Sequence, residues 1–512
     1  MAFCGRDGHG IRIVAARQHE TGTRAGPSEA KGWGSVSRSA VRLSLLVAGA
    51  CAATSTAFAQ NAERRFQRLS READPAFNQK VDTSLNVVER SQLDFGGFLS
   101  YSFFNLNDFN DNHVRLNQPE LTLYGRGVID GAHTFFARAR FQYRDFSPGD
   151  SFDGEGDGWT EPFLDRYWYE FDLRNAVAAY EGRSLDGDLN IRVGRQFVDW
   201  GAGLTLSENL YAIRPTLELG AFSIDGIAGV TPGDESVIDF DSSRNGYNYD
   251  TSRGYFGARF AYTFPAGQQL YSYVLYQHDY NDNDGARPSL GAPVDFNYNS
   301  TYLGFGFTGT AGTRWLYLGE FVYQFGDSES DPLRGAQQQE DISAFAARGQ
   351  VTYLLGDTNL TRFEFETLFA SGDSDRLSPT NTVGGNLAGT TDHGFNSLGF
   401  ANTGLAFAPS FSNIMTFRLG ASSFVFNRVK GLEQLQLGID LMFLNKMDPD
   451  APIDEPTKDQ TFLGFETDLY ANYRVTSDLA LTVRYGAFFP DDTITSGAQV
   501  RQFVLLGVTL SF

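Results

Sequence analysis

The sequence predicts an all-β protein, a transmembrane antiparallel up-and-down β-barrel of about 18 strands. Three observations carry that expectation. The 512 residues include 45 Phe, 23 Tyr and 55 Gly, which suits many short strands, aromatic girdles at the two membrane interfaces and tight turns. Mean hydropathy is −0.29, and beyond the amino-terminal region no segment approaches the roughly 18 consecutive apolar residues that a spanning helix needs. Residues 500–512 alternate, with Val504, Leu506, Val508, Leu510 and Phe512 on one face. Successive side chains of a strand point to opposite faces, and hydrocarbon offers no water to an open edge, so a lipid-facing strand of this kind belongs in a closed sheet. The competing reading is the last strand of a soluble sandwich.

The amino end gives the compartment. Arg42 precedes the short apolar core 43–50, and Ala57-Phe-Ala59 before Gln60 is a small-x-small cleavage site, so residues 1–59 read as a secretory signal peptide with an atypically long n-region. Residues 1–41 are set aside from the fold, as an upstream start codon would add them. Ala48-Gly-Ala-Cys51 offers a rival lipoprotein box, but Ala48 stands where leucine is usual. Cys4 and Cys51 both fall in this presequence, so the mature chain is expected to hold neither disulfide nor thiolate metal site. Cleavage removes 7 of the 41 basic and 3 of the 62 acidic residues, leaving a formal charge of −25. Phosphate backbones would be repelled, so nucleic acid is excluded as a partner. Residues 60–90 read as a polar periplasmic segment, with a short helix around 62–73 or none.

The barrel is expected over residues 91–512. At about 25 residues per strand and turn, the mature 453 residues allow about 18 strands, an even number as bacterial barrels require. Alternation places candidates at 94–105, 117–129, 133–146, 163–174, 189–197 and 217–230. Six more lie at 254–264, 269–278, 301–308, 314–325, 342–355 and 359–371, and the last six at 396–407, 413–427, 433–443, 461–475, 479–488 and 500–512. Short links at 131–132, 265–267, 309–313, 356–357 and 476–478 suit periplasmic turns. Long Gly/Asp/Asn-rich links at 147–162, 232–253, 279–300, 326–341, 372–396 and 445–460 suit the outside.

Alternation also assigns faces. In 136–144 the basic residues Arg138, Arg140 and Arg144 share one side while Ala137, Ala139, Phe141 and Tyr143 share the other. Lipid takes the second set, so the arginines face the lumen. In 166–174 Tyr167, Tyr169, Phe171 and Leu173 face lipid, leaving Arg166, Glu170, Asp172 and Arg174 inward. Arg192, Arg259, Arg348, Arg362, Arg418, Arg474 and Arg484 also fall on polar faces, as do Glu320, Glu364, Glu366, Asp440, Glu466 and Asp468. A charged lumen supports two readings. Arginines and carboxylates can form an ion-paired lattice that only stiffens the wall of an ordinary porin. Alternatively, guanidinium groups at a constriction select anions and fork onto carboxylates.

Asp165-Arg-Tyr-Trp-Tyr-Glu-Phe171, Ile191-Arg-Val-Gly-Arg-Gln-Phe197 and Trp200-Gly-Ala-Gly203 resemble the Arg-x-x-Tyr, Val-Gly-Arg-Gln and Trp-Gly motifs of the alginate-export outer-membrane porin family. Residues 365–373 and 485–492 are similar to its later strand ends. The resemblance spans most of 90–512. It implies an 18-stranded barrel with an arginine-rich, electropositive constriction through which an acidic exopolysaccharide leaves the cell, and Arg166, Arg192 and Arg195 match the family motifs by position. The loops here are distinct and the presequence atypical, so the polymer is less closely fixed than the fold. The aromatic ending resembles the signal that bacterial barrel-assembly machinery reads. Expected partners are therefore outer-membrane lipid, that machinery, an anionic polysaccharide and a periplasmic export scaffold; the expected address is the outer membrane.

Other motifs point less far. Gly304-Phe-Gly-Phe-Thr-Gly309 fits G-x-G-x-x-G, but it lies in an alternating strand with no helix after it, which rejects dinucleotide binding. The acidic clusters 153–157 and 279–284 could hold Ca²⁺, yet neither has the EF-hand register and both read as solvated loops, so no cofactor is assigned. A barrel enzyme is the rival from another class. It would need a nucleophile with a placed histidine, and His113, His133, His278 and His393 make no evident pair. Within the channel class the alternative is a general or oligosaccharide uptake porin.

Overall fold

The computed structural model describes residues 81–107, 109, 113–147, 157–161, 163–232, 253–280, 297–331, 334–379, 385–399, 401–497 and 499–512. The expected signal peptide, the expected helix at 62–73 and most of the two acidic clusters lie outside these residues.

A 3-10 turn, Val87–Arg90, leads into the first strand. The strands are β1 (Ser91–Asn107), β2 (His113–Ile129), β3 (His133–Ser147), β4 (Gly158–Thr160), β5 (Leu164–Asp172) and β6 (Gly187–Trp200). They continue as β7 (Leu206–Leu219), β8 (Phe222–Val230), β9 (Arg253–Thr263), β10 (Gln269–Asp279), β11 (Tyr298–Ala311), β12 (Trp315–Glu329) and β13 (Gln339–Leu354). The last are β14 (Arg362–Ala370), β15 (Ile414–Ser423), β16 (Leu435–Asn445), β17 (Phe462–Arg474), β18 (Leu479–Pro490) and β19 (Arg501–Ser511). Eighteen of them form a closed antiparallel ring. Each ring strand pairs with its sequence neighbours, and β19 pairs back onto β1, Phe98 facing Ser511 and Asn107 facing Gln502. The three-residue β4 lies outside the ring, paired only to β3.

Turn chemistry is visible at the short end. Asp130 and Gly131 both take positive φ, 55° and 71°, and Ala132 N–H donates to Ile129 O at 3.0 Å. The two consecutive positive φ values give the turn 129–132 the twist that the flanking strands demand, and an Asp-Gly pair tolerates them. The next link is a helix, α1 (Leu173–Glu181), capped by the Asp172 side chain, which accepts from Asn175 N–H at 2.8 Å. Tyr180 on this helix donates to Asp130 at 2.9 Å; partial burial and that carboxylate hold its hydroxyl above the ordinary tyrosine range.

Three sequence expectations change. The candidate 163–174 stops at Asp172, because a helix begins where Leu173 and Arg174 were assigned to faces. The candidate 217–230 is the end of one strand and the whole of another, split at Gly220, whose φ is 60°. The candidate 396–407 is not a strand: its Leu398, Ala406 and Phe407 are buried with inward residues of the wall. It had alternated like a lipid-facing strand because an apolar core inside a barrel wants the same residues. Gly304–Gly309 lies in β11 as expected.

The outer face is apolar. Phe135, Phe260, Phe305, Phe363, Leu419 and Leu510 are among the large side chains left exposed, as a lipid-facing band requires.

Candidate functional site in the barrel lumen

Among the described residues, the links 201–205 and 371–413 reach onto inward residues of the wall, and Phe109, Ile453 and Ile494 of three other links join the same buried cluster. The link 201–205, between β6 and β7, reaches across to β12, where Glu320 accepts from Ala202 N–H and from the hydroxyls of Tyr271 and Tyr273. Arg348 on β13 donates to Ala202 O at 2.7 Å. The two tyrosines can lie flat across the neighbouring strand because they face Gly306 and Gly304, where any Cβ would overlap their rings. The link 371–413, between β14 and β15, comes inward from the other side. Leu398 bridges to Leu206, Ser207 N–H donates to Leu398 O at 3.0 Å, and Ser397 Oγ donates to Leu204 O at 2.7 Å. Glu466 on β17 holds its far end, accepting from the backbone of Leu405, Ala406 (2.7 Å) and Phe407 (3.0 Å). Phe407 stacks on Phe488 of β18 at 4.3 Å.

These links meet from points eight strands apart in the ring, β7 to β14. They divide the inner wall into two unlike arcs. On β10 to β12 the inward Tyr271, Tyr273, Leu275, Tyr302, Val322 and Gln324 are at most 4% exposed, packed into a core. On β2 to β6 the inward Tyr124, Phe136, Arg138, Arg140, Trp168 and Arg192 are only half-buried. Water therefore reaches the β2–β6 wall.

The predicted arginines separate along the same line. Arg138 Nε bonds Asp165 Oδ1 at 2.9 Å, and Arg140 Nε lies 3.9 Å from Asp165 Oδ2. Asp165 is the extra residue at a register shift between β3 and β5, which turns it inward between the two arginines. Its side chain is 1% exposed while that of Arg140 is 31% exposed. Arg192 bonds Glu170 at 2.8 Å and keeps 34% exposure. Arg166 donates to Asn209 Oδ1 at 3.2 Å and lies 4.9 Å over the Phe197 ring. Arg144 pairs through its backbone with Gly158 of β4.

Of the remaining arginines, Arg195, Arg259 and Arg418 are buried and the others half-buried. Arg195, 1% exposed, donates to Tyr211 at 3.3 Å. Arg259 bonds Asp225 at 3.2 Å and Gln269 at 3.0 Å. Arg348 and Arg418 grip opposite oxygens of Glu366, at 2.7 and 2.8 Å, and Arg418 also reaches Glu364 and Asp440. Arg362, Arg418 and Arg484 come together with Glu364, Asp440 and Tyr470 around one pocket in the β14–β18 wall. Arg474 donates to Ser477 O at the short-turn end. Half the arginine set thus serves the wall lattice, although Arg348, Arg362, Arg474 and Arg484 are half-buried like Arg138; among the ion-paired arginines of the wall, Arg140 and Arg192 keep the largest exposure, 31% and 34%.

Sequence reasoning missed the inward aromatics on that wall. Phe136 and Trp168 stack at 5.3 Å, and Tyr124 stacks on Phe136 at 6.4 Å. Their even parity with Arg138 and Arg166 was the signal. Three of the candidate histidines have assigned contacts: His133 bonds Tyr169 and Tyr180, His278 bonds Asn299, and His393 bonds Ser343 O.

The profile of a family described as alginate export matches residues 138–502, a span that contains all twelve arginines named above. No curated protein matches the sequence. Among solved structures the chain is similar to OccK5 (OpdH) of Pseudomonas aeruginosa, at 13% identity over 82% of this chain and 98% of that one, with a TM-score of 0.48. It is also similar to OccAB4 of Acinetobacter baumannii, at 12% identity over 83% and 100%, with a TM-score of 0.47.

Proposed function

We propose, from the premise that this chain belongs to the alginate export family and forms an outer-membrane channel, that it passively exports an anionic, alginate-like exopolysaccharide along the β3–β6 wall. The observation that carries the reading is the asymmetry of the ion pairs there. Arg140 and Arg192 each leave about a third of the side chain open to the lumen, whereas Asp165 is buried behind its arginines and Glu170 is less exposed than Arg192. The surface offered to a solute is then cationic even though the pairs are formally neutral.

Planar guanidinium forks suit carboxylates, which a uronate chain repeats on every sugar. Contact attraction between one exposed pair of charges is only about 1 kcal/mol in water and about 4 kcal/mol at the effective dielectric of a protein surface. Several weak stations in series permit binding without trapping, which conduction requires. Ion selectivity of the purified barrel under a salt gradient tests the reading. Anion preference is expected, and a cation preference that substitutions at Arg140 and Arg192 leave unchanged would reduce the protein to a general porin.

A further inference from the structure

We infer that Trp168, backed by Phe136 and Tyr124, is a positioning residue that holds Arg192 rigid as a carboxylate-reading station; the inference rests on the anion-path reading above. The Arg192 guanidinium lies 4.1 Å from the Trp168 ring centroid. Trp168 in turn stacks on Phe136 with planes 20° apart, and Phe136 on Tyr124 with planes 22° apart. Four planar groups from β2, β3, β5 and β6 thus stand in one row across the sheet. Tyr124 ends the row over Gly96 of β1, where a Cβ would overlap its ring.

The row of rings ends on a cation, which the face of an indole attracts. Nε and Nη2 of Arg192 are tied to Glu170, while Nη1 has no partner among the described contacts. The stack fixes the plane of the guanidinium and the carboxylate fixes its rotation. What remains is a set of donors toward the lumen with one orientation. A flexible arginine loses rotamer freedom each time it meets a ligand; a stacked one has lost it already, which lengthens residence rather than speeding encounter. The ligand that profits is planar and bidentate, a sugar carboxylate, more than a compact spherical anion such as chloride. Lysine cannot replace the fork.

The test is block of single-channel current by an oligouronate in a planar bilayer, with dwell time as the readout. Trp168→Leu, which keeps an apolar side chain but loses the π-face, is expected to shorten the blocked dwell about five- to tenfold with little change in the rate of block onset. Trp168→Phe should restore most of the dwell. Arg192→Lys should shorten it similarly, and adding Trp168→Leu to Arg192→Lys should cost little more. Normal wild-type block with an unchanged dwell in Trp168→Leu overturns the positioning role and leaves the anion path standing. Absence of oligouronate block in the wild type overturns the station, and absence of block joined to cation selectivity overturns the anion path as well. Heat-shifted gel mobility verifies that each variant is assembled, and Trp168→Met, which also lacks an aromatic face, carries the comparison if Trp168→Leu does not fold.

Discussion

Phe512 and Gly97 exchange backbone hydrogen bonds, each N–H donating to the other's carbonyl at 3.0 Å. The pair extends the β19–β1 seam past Ser511, and the Phe512 ring, 62% exposed, lies on the outer face beside Gly97. Phe512→Asp keeps the backbone pair but puts a charge on that face. The expected outcome is a clear loss of heat-shifted, outer-membrane barrel on gels, and wild-type levels would contradict the assignment of Phe512 to the interface.

Face assignment can be tested within one strand. Val483 is outward and 43% exposed, and Thr482, opposite Asn472, is inward. A charge on the lipid face costs up to roughly 2–4 kcal/mol near mid-membrane for basic residues and less for acidic ones, whereas the lumen tolerates it. Val483→Asp should therefore lower folded yield in urea-refolding titrations well below Thr482→Asp; equal yields would reverse the assignment.

Glu366 is shared by Arg348 and Arg418 and is 2% exposed. Glu366→Gln leaves two guanidinium groups competing for the remaining acids. Removing one partner of a buried pair costs about 3–5 kcal/mol, softened here because Arg418 retains Glu364 and Asp440. A lowered urea midpoint of unfolding is expected, with ion selectivity nearly unchanged, since this lattice lies in the wall.

Glu466 holds three consecutive amides of the 371–413 link. Hydrogen bonds to a charged group contribute about 1.5–3 kcal/mol each, so Glu466→Ala should free this end of the link while the barrel still closes. Larger or noisier single-channel conductance and faster protease cutting within 400–412 are expected. Unchanged conductance and protection would mean that Phe407 stacking on Phe488 holds the segment alone.

Much of the ring was legible because lipid enforces a two-residue period. The outward set 504–512 and the inward parity of Arg138, Arg140, Arg166, Arg192, Arg259, Arg348 and Arg418 both follow from alternation. Where the inside is itself apolar, the rule loses its sign. In β7 the inward Leu206, Leu210 and Ala212 are buried against the inner core, so the strand lacked the expected apolar-out, polar-in pattern. The 396–407 link has strand-like alternation for the same reason. Ion pairing was beyond reach, since whether Asp165 faces Arg138 depends on a one-residue register shift. Trp168 was overlooked because aromatics were expected in the lipid-facing girdle, though its even parity with Arg166 placed it inside.

The most direct measurement is the reversal potential of the purified barrel in a planar bilayer under a salt gradient, before and after Arg140→Glu with Arg192→Glu. These two lumen-facing guanidinium groups should lead the unmodified channel to prefer anions despite the chain's formal charge of −21. Local field near the path outweighs distant loop charge, which salt screens beyond about 8–10 Å. The double variant should shift the reversal potential toward cations and weaken block by an oligouronate. Cation selectivity in the unmodified protein, unmoved by the two substitutions, would contradict the account.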